Sequence, residues 1–353
     1  MQKQSIPVYK KVLLSPFSWL WESIYFTRRA FYDYGLIRQS SFHVPVISIG
    51  NLTFGGTGKT PFTLWLGQYL NSQNKEVMVL MRGYKGKLEN SSGIIHTGKM
   101  IPDSEDYGDE ALLFARRLKN STVVVGKRRA QNLSFYFPKV RPDVVLLDDG
   151  HQHIQIKRKL NIVLFDATMP MIKYEVAPLG YMREGFHALK DADLVVIGKA
   201  DIAGKTRVEE LKNLIRPHLP VGVNFAEIGF RPKGLFNAAN EMVYSVSEIK
   251  GKKVICLAGI ANPISFYKLI EELGAEIIVK ESFPDHHYFK KDEIQALIES
   301  AKNEDAILVT TEKDMVRIKK IIEDNLILFL DVDIQFYSGE EETKELIDKA
   351  IEF

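Results

Sequence analysis

A glycine-rich turn between an apolar run and a helical pattern is the part of this sequence best suited to hold phosphate. The run VPVISIG (44–50) leads into NLTFGGTGKTP, which opens a helix at Lys59 and Thr60. Glycines let backbone N–H groups converge on a phosphate, Lys59 can reach the terminal phosphates of a nucleotide, and the Thr60 hydroxyl can bind Mg²⁺. The predicted nucleotide-binding residues are Thr53, Phe54, Gly55, Gly56, Thr57, Gly58, Lys59 and Thr60.

The turn departs at one position from the general phosphate-binding pattern G-x-x-x-x-G-K-[ST]. That pattern has glycine at position 53, where this chain has Thr53, so we expect Gly55 and Gly56 to supply the flexibility instead. A glycine-rich turn without a ligand is the alternative. Nucleotide binding is favoured because strand, turn and helix follow one another in the required order.

A pair of acids follows a second apolar run. DVVLLDD (143–149) delivers Asp148 and Asp149 at its C-terminal end, where a P-loop fold places the acidic group for the metal and its water. The alternative is a polar turn without chemistry, since Asp-Gly is ordinary turn sequence. His151 and His153 make zinc a weaker option, because an oxygen-ligand Mg²⁺ site better suits phosphates.

Two further segments carry candidate acids and bases. GDE (108–110) precedes a helical pattern, and Asp109 and Glu110 there would serve equally well as N-terminal helix acids with no chemistry. FPDHHYF (283–289) places Asp285, His286 and His287 in a predicted loop. An imidazole with a carboxylate neighbour can act as a base, so these residues are candidates without being decisive.

Basic side chains are candidates for phosphate contacts. PLGYMREG (178–185) contains Arg183, and GKRRA (126–130) contains Arg128 and Arg129; each cluster either binds phosphate or is solvated surface. GKAD (198–201) is similar to the guanine-reading N-K-x-D of GTPases, but Gly198 replaces the asparagine that reads the base. A GTPase is therefore the second interpretation.

The elements that position these residues follow from the apolar pattern. Near-continuous apolar runs, which are typical of buried parallel strands, lie at 44–50, 76–83, 121–126, 143–149, 161–166 and 193–199. A second series of runs lies at 252–259, 275–280, 305–311 and 325–332. Helical patterns accompany the second series at 264–273, 291–302, 313–323 and 340–352. We predict an α/β, P-loop NTPase-like, mainly parallel sheet with helices on both faces, and a smaller C-terminal α/β domain.

Composition limits the class of protein. At roughly 150 residues per domain, 353 residues predict about two domains, and 45% hydrophobic residues exclude disorder. One cysteine, Cys256, excludes an intramolecular disulfide framework and fits a reducing cytosol. The net charge of +2 gives no sign of a nucleic-acid partner. The predicted boundary between the two domains lies between residues 225 and 240, where Pro232, Gly234 and Asn237 interrupt the periodicity.

The N-terminal segment, residues 1–42, is basic and aromatic. Its longest uncharged run is ten residues, about half of the roughly 20 that a spanning helix needs. Apolar and aromatic side chains such as Trp21 recur at helical spacing beside Arg28 and Arg29. This pattern predicts a helix in a membrane interface, with the arginines meeting anionic lipid. A helix that packs its apolar face on the protein is the open alternative.

Taken in order, the motifs resemble those of the tetraacyldisaccharide 4'-kinase family, the lipid A kinases of Gram-negative bacteria. The resemblance covers most of the chain and rests on GNLTFGGTGKTP, RGYKG (82–86), GDEALL, VGKRRA, DVVLLDDGHQH, PLGYMREG, GIANP (259–263), FPDHHYF and TEKDMVR (311–317). Thr53 belongs to the family's own version of the turn, whereas His151, in place of a common aromatic, and Lys85, within RGYG, depart from its pattern.

The resemblance implies a reaction and a set of roles. ATP, with Mg²⁺, would phosphorylate the 4'-hydroxyl of tetraacyldisaccharide 1-phosphate and give lipid IVA. The implied catalytic residues are Asp109, His286, Lys59 and Arg183. The implied metal-site residues are Thr60, Glu110, Gln152, Asp148 and Asp149. The predicted substrate contacts are Arg128, Arg129 and Glu184.

The resemblance also implies a place in the cell and a division of the chain. A four-chain lipid stays in its bilayer, so we expect a peripheral protein on the cytoplasmic face of the inner membrane, with no nucleic acid and no obligate protein partner. The predicted segments are the membrane-interface helix (1–42), a P-loop ATP-binding kinase domain (43–228) and the smaller domain with its linker (229–353), hinged to close on ATP. A GTPase, a kinase of another amphiphile and a nucleotide-gated membrane adaptor remain alternatives.

Overall fold

The computed structural model describes residues 6–99, 102–260, 262–285, 287–322 and 324–352. The helices are α1 Val8–Asp33, α2 Lys59–Ser72, α3 Ser104–Tyr107, α4 Asp109–Arg117, α5 Arg129–Val140, α6 Ala200–Ala203, α7 Lys205–Ile215, α8 Pro263–Glu272, α9 Lys291–Asn303, α10 Glu312–Ile318 and α11 Glu340–Ile351. The strands are β1 Val46–Asn51, β2 Val77–Met81, β3 Gly93–His96, β4 Ser121–Val125, β5 Val144–Asp148, β6 Leu160–Asp166, β7 Leu194–Gly198, β8 Asn224–Phe236, β9 Met242–Ser245, β10 Lys253–Ala258, β11 Glu276–Ser282, β12 Ile307–Thr311 and β13 Ile327–Ser338.

The described strands form one mixed sheet of thirteen strands. Their order is β11-β10-β12-β13-β8-β7-β6-β1-β5-β2-β4-β3, with β9 paired to β8. Strand pairs are parallel except β13 with β8, β3 with β4, and β8 with β9. The predicted fold class, a mainly parallel α/β sheet that begins with a P-loop unit, is confirmed.

Neighbouring residues of a strand point to opposite faces of the sheet. Both faces are therefore apolar, and helices cover both. Ile47 packs in a core with α2, α4 and α11, whereas Val46 packs in a second core with α5. Helix α7 packs on β6 and β7 and forms a third hydrophobic cluster with them. The central strands are buried on both faces, which explains their near-continuous apolar sequence.

Strand β8 connects the two series of strands. Its first residues pair in parallel with β7, and its later residues pair antiparallel with β13. The sequence suggests an interruption at Pro232 and Gly234, yet the strand continues to Phe236. Pro232 lies opposite Val332 at a register shift between Asp331 and Val332, a place where proline is compatible with a strand. The division of the chain at residues 228 and 229 stays a prediction.

Helix α1 exposes its apolar residues, whereas an ordinary surface helix buries them. Its only buried residues are Ser18 and Arg29. The apolar and aromatic residues of α1 that are at least 38% exposed are Val8, Tyr9, Val12, Leu13, Phe17, Trp19, Leu20, Trp21, Ile24, Phe26 and Phe31. Among the residues that the structure describes, no helix is long and apolar enough to cross a membrane.

The polar face of α1 corrects one expectation. The expectation that Arg29 meets anionic lipid is wrong, because the residue is 3% exposed and its guanidinium lies 2.6 Å from the carboxylate of Glu184. Arg28 likewise turns to the protein and donates to the carbonyl of Gln152 at 2.9 Å. Hydropathy spacing located the apolar face, but it did not tell which side chains would find buried partners.

Candidate active site

The phosphate-binding turn comprises residues 52–58, between β1 and α2. Gly55 and Gly58 have φ of +99° and +87°, left-handed conformations that favour glycine. Helix α2 begins at Lys59, so its unpaired first-turn N–H groups lie at the end of the turn. Thr57 is buried, and its hydroxyl has no hydrogen-bond partner within the described ranges. Backbone donors, a helix N-terminus and an unsatisfied hydroxyl therefore meet where a phosphate would bind.

A neighbouring segment holds this turn in place. The N–H of Phe54 donates to the carbonyl of Tyr181 at 2.7 Å, and the N–H of Arg183 donates to a carbonyl of the turn at 2.6 Å. Thr53 bridges to Met182 and is almost fully buried. Position 53 is thus a paired, packed site, which gives a structural reason for threonine in place of glycine.

Two cations converge on the acid that follows β5. The Lys59 ammonium lies 3.4 Å from the Asp149 carboxylate, and the Arg183 guanidinium lies 3.0 Å from it and 3.3 Å from the Gln152 amide oxygen. Burial alone raises the pKa of Asp149, but the positive charges of Lys59, Arg183 and Arg129 outweigh it and leave the pKa below its usual value. Asp149 therefore stays ionised and holds both cations beside the turn.

The preceding acid has the opposite electrostatic environment. Asp148 is buried and accepts a hydrogen bond from Thr63 at 2.8 Å. Burial, followed by the negative charges of Glu110 and Asp149, raises the pKa of Asp148 to about 7. Glu110, Asp148 and Asp149 thus share one electrostatic environment near the start of α2, where Thr60 is half-buried. Nearby negative charges of this kind favour a cation.

Oxygen donors at this place fit Mg²⁺ better than a metal held by protein alone. Within the described parts of the chain, no group of three or more His, Cys, Asp or Glu side chains is arranged to hold a metal ion. Mg²⁺ usually takes one or two carboxylates and completes its shell with phosphates and water. The carboxylates of Glu110 and Asp148 and the hydroxyl of Thr60 could supply such a partial set.

The predicted base begins helix α4. Asp109 follows Gly108, whose φ of +84° favours glycine, and its carboxylate lies 3.1 Å from the guanidinium of Arg317 in α10. Glu110 lies 3.7 Å from the ammonium of Lys313, also in α10. Arg317 and Lys313 were not assigned a role from the sequence. The segment TEKDMVR shows several charged residues in a short helix beside an apolar strand, but the sequence does not show which side chains these residues contact.

The loop that carries the second predicted catalytic residue approaches the same place. His286 lies outside the described residues. Its neighbours are held by α10: the carbonyl of His287 accepts from Arg317 at 2.9 Å, and the Asp285 carboxylate lies 3.6 Å from the Lys313 ammonium. One guanidinium therefore contacts both Asp109 and the loop 283–289.

The predicted substrate contacts fall into three different environments. Arg128 is exposed at the start of α5. Arg129 is buried and donates to the carbonyl of Asp149 at 2.9 Å. Glu184 is 1% exposed and paired with Arg29. Contact between substrate and Arg129 or Glu184 stays a prediction, because both side chains act within the protein in this structure.

The two histidines after the acidic pair are not arranged as metal ligands. His151 is fully buried, and burial, followed by the charges of Arg29 and Arg158, holds its pKa well below the usual value. Burial and neighbouring arginines also lower the pKa of His153 to about 3. Both rings are therefore neutral, and His151 packs where Gly50 leaves room, since a Cβ on that glycine would lie 2.5 Å from it.

The GKAD segment has a packing reason for its glycine. A Cβ on Gly198 would lie 3.2 Å from the carbonyl oxygen of Thr57 in the phosphate-binding turn. The ammonium of Lys199 is paired with the Asp166 carboxylate. A side chain at position 198 would need the turn to move by a few tenths of an ångström, and glycine has no side-chain amide with which to read a guanine base.

The fold and the site together define an α/β phosphotransferase of the P-loop class. A phosphate-binding turn, two converging cations and an acidic group lie at the C-terminal edge of a parallel sheet, with the Asp109 carboxylate nearby. A model of the tetraacyldisaccharide-1-P 4'-kinase family matches residues 10–352. The chain belongs to this family.

Individual relatives agree with this assignment. The chain is 32% identical over 334 residues to the tetraacyldisaccharide 4'-kinase of Halothermothrix orenii, covering 90% of this chain and 87% of the relative. It is 37% identical over 293 residues to that of Anaeromyxobacter dehalogenans, covering 82% and 77%. The crystal structure of LpxK from Aquifex aeolicus in complex with ATP is similar, with a TM-score of 0.78, 29% identity and coverage of 97% of this chain and 99% of that one.

Proposed function

We propose that this chain transfers the γ-phosphoryl group of ATP to the 4'-hydroxyl of a tetraacylated glucosamine disaccharide 1-phosphate, giving lipid IVA. The convergence of Lys59 and Arg183 on Asp149 at the start of α2 carries the proposal. Phosphoryl transfer depends on positioning and charge neutralisation rather than on a covalent intermediate, and two cations beside a phosphate-binding turn meet that need. Family membership supplies the acceptor.

The turn binds the triphosphate. Residues 55–60 offer backbone N–H groups, and Lys59 reaches the terminal phosphates from the first turn of α2. The Thr57 hydroxyl, which is buried and unpaired within the part of the chain described, gains a partner when a phosphate oxygen arrives. Gly58 and Gly55 keep the backbone close enough for these contacts.

The oxygen donors beside the turn would hold Mg²⁺. Thr60, Glu110 and Asp148 are the proposed ligands, and Asp149 and Gln152 tune the site from its edge. An ion held there would offset the charge of the phosphates during transfer. The high pKa of Asp148 supports this assignment, because a cation would relieve the repulsion among the three neighbouring acids.

The acceptor hydroxyl loses its proton to Asp109, and His286 supports that carboxylate or shares the proton. Two contacts support the pairing: Arg317 lies 3.1 Å from Asp109 and donates to the carbonyl of His287 at 2.9 Å. The loop 283–289 and the start of α4 are therefore tied to one side chain. If the two halves of the chain close as a hinge when ATP binds, the contacts of Arg317 with Asp109 and with the carbonyl of His287 would change.

Arg183 neutralises the transferring phosphoryl group. Its guanidinium is held beside the turn by Asp149 and Gln152, and the γ-phosphate competes with Asp149 for it. A guanidinium fits phosphate with paired N–H groups, so the exchange of one anion for another requires little movement. Arg128 is the stronger candidate for the acceptor's own phosphate, because Arg129 and Glu184 are engaged within the protein.

The outward face of α1 brings the enzyme to its substrate. A continuous set of exposed apolar side chains on one helix marks an interaction surface, and aromatic rings such as Trp19 suit the depth of lipid headgroups. The acceptor has four acyl chains, so the surface we propose is the cytoplasmic face of the inner membrane.

The test is transfer of label. The full chain is incubated with tetraacyldisaccharide 1-phosphate and γ-labelled ATP, and the label is expected on the lipid. Asp109→Asn should abolish product while ATP affinity stays within about twofold, because the base does not contact the nucleotide. Asp106→Asn, three residues earlier in α3, is the matched control and should retain activity.

Three outcomes would contradict the proposal in different ways. ATP binding without label on the lipid would favour a nucleotide-gated adaptor. A comparable rate with GTP would reopen the GTPase interpretation. Product formation by Asp109→Asn at the rate of the unsubstituted chain would show that Asp109 is not the base, although the chain would remain a kinase.

A further inference from the structure

The inward face of α1 contacts two segments of the proposed phosphate site. Trp21 lies at the border of the two faces: it is 38% exposed, and its indole N–H donates to the carbonyl of Arg183 at 2.9 Å. The guanidinium of Arg28 donates to the carbonyl of Gln152 at 2.9 Å. These are the two residues whose side chains meet at 3.3 Å beside Asp149. Helix α1 is therefore hydrogen-bonded to the backbone of both Arg183 and Gln152, whose side chains contact each other.

Arg29 makes the deepest of these connections. Its guanidinium lies 2.6 Å from Glu184, the residue after Arg183, and 3.1 Å from Asp191. Arg29 and Glu184 are both almost fully buried, so the pair is shielded from water. Taking two charges out of water is unfavourable unless they are paired, and removing one partner leaves the other buried and uncompensated. Apolar contacts would suffice to attach a membrane-binding helix to the rest of the protein. The buried ion pair therefore points to a requirement for a defined position of α1 relative to Glu184.

The segment held in this way is the one that lies along the phosphate-binding turn. Arg183 donates its N–H to the carbonyl of Leu52, and Tyr181 accepts from the N–H of Phe54. A shift at Glu184 is therefore passed through the backbone to the Arg183 side chain and to the turn. Ser18 adds a third attachment, since its hydroxyl donates to the carbonyl of Val176 at 3.1 Å.

We propose that Trp21, Arg28 and Arg29 are positioning residues for phosphoryl transfer, acting through Arg183 and Gln152. The inference rests on the proposed kinase function and assigns α1 two faces with separate tasks. The outward apolar face meets lipid, and the inward polar face sets the position of the guanidinium that contacts the transferring group. Removal of the whole helix would therefore impair chemistry as well as membrane attachment, and truncation alone would not separate the two.

The test separates the faces with small substitutions in the full chain, assayed in detergent micelles so that vesicle attachment is not needed. Trp21→Phe removes the N–H and keeps an apolar ring, and Arg29→Lys keeps the charge but loses the planar fork. Each should lower kcat by about tenfold with KM for ATP within about twofold, because misplacement affects the transition state more than ground-state binding. Arg141→Asn, at the far end of α5, removes an exposed arginine and should leave kcat unchanged.

A double-variant comparison distinguishes positioning from general destabilisation. In an Arg183→Ala background, Trp21→Phe should lower kcat by less than about twofold further, because the group through which it acts is already gone. The same tenfold loss in both backgrounds would overturn the inference. So would an unchanged kcat for both Trp21→Phe and Arg29→Lys in the unsubstituted background.

Hydrogen exchange provides a readout that does not depend on the substrate. Amides 181–184 should exchange faster in Trp21→Phe and Arg29→Lys than in the unsubstituted chain, whether or not the lipid is phosphorylated. If the unsubstituted chain makes no labelled lipid, the proposed function fails while exchange still tests the positioning. If it makes labelled lipid and exchange at 181–184 is unchanged in both variants, the positioning inference fails alone.

Discussion

The guanidinium of Arg317 lies 3.1 Å from the carboxylate of Asp109 and joins helix α10 to the start of helix α4. It also contacts Asp314 at 2.8 Å and donates to the carbonyl of His287 at 2.9 Å. Arg317 and Asp314 are buried, so this cluster is shielded from solvent. Arg317 thus contacts both the proposed base and the loop 283–289.

Replacing Arg317 should therefore lower turnover without weakening nucleotide binding. Arg317→Ala should reduce kcat by about 10 to 100-fold, because an incorrectly oriented base is inefficient, with the dissociation constant for ATP within about twofold. Label transfer and nucleotide titration measure the two effects. Unchanged kcat would show that Asp109 needs no support from α10.

The same substitution also leaves the Asp314 carboxylate buried without its ion pair, which would lower stability. Arg317→Ala combined with Asp314→Asn removes that carboxylate charge and serves as the control. The double variant should regain part of the lost melting temperature and none of the lost kcat. Recovery of both together would mean that the loss of activity came from unfolding.

Asp149 gives a prediction about nucleotide-dependent stability. Asp149→Asn leaves Lys59 and Arg183 without their counter-charge, so the unliganded protein should be less stable, and bound phosphates should replace the missing anion. The rise in melting temperature on adding ATP should be larger than in the unsubstituted chain. Asp143→Asn, just before the other end of β5, is the matched control with an unchanged rise. An equal or smaller rise in Asp149→Asn would contradict the exchange of anions.

The outward face of α1 should determine attachment to lipid. Val12→Asp combined with Leu20→Asp places two charges on exposed apolar positions, and the fraction bound to anionic phospholipid vesicles should fall at least about tenfold. Val221→Asp, at an exposed apolar residue after α7, is the control and should bind as before. Co-flotation with vesicles measures the bound fraction. Equal binding by both variants would assign attachment to another surface.

Glu312 should make stability depend on pH. It lies 3.1 Å from Arg117, yet burial raises its pKa to about 7. The folded state therefore holds the proton more tightly than the unfolded state, and the free energy of unfolding falls as pH rises from about 4.5 through 7. Glu312→Gln removes this dependence and should be more stable than the unsubstituted chain at pH 8 by about 1 to 3 kcal/mol, with a smaller difference at pH 5.

Urea unfolding at the two pH values measures that difference directly. Comparing the variant with the unsubstituted chain at each pH removes the contribution of the other titrating groups. A difference in stability that is the same at pH 5 and pH 8 would show that Glu312 is ionised throughout this range.

The sequence by itself determined the elements whose signals are local. The phosphate-binding turn, the acids after β5 and the buried strands were readable because glycines, helix starts and apolar runs act over a few neighbouring residues. The apolar residues that α1 exposes were readable for the same reason. Ordered motifs also sufficed to indicate the family, which the match over residues 10–352 confirms.

Only the tertiary structure decided which charged side chains meet. Arg29 and Glu184 are separated by 155 positions, and nothing near either residue in the sequence shows that the pair is buried. The same holds for Arg317 with Asp109 and for the passage of β8 through Pro232, which depends on pairing with β13. A buried charge is stable only beside its partner, and that partner is brought to it by the packing of distant elements rather than by local sequence.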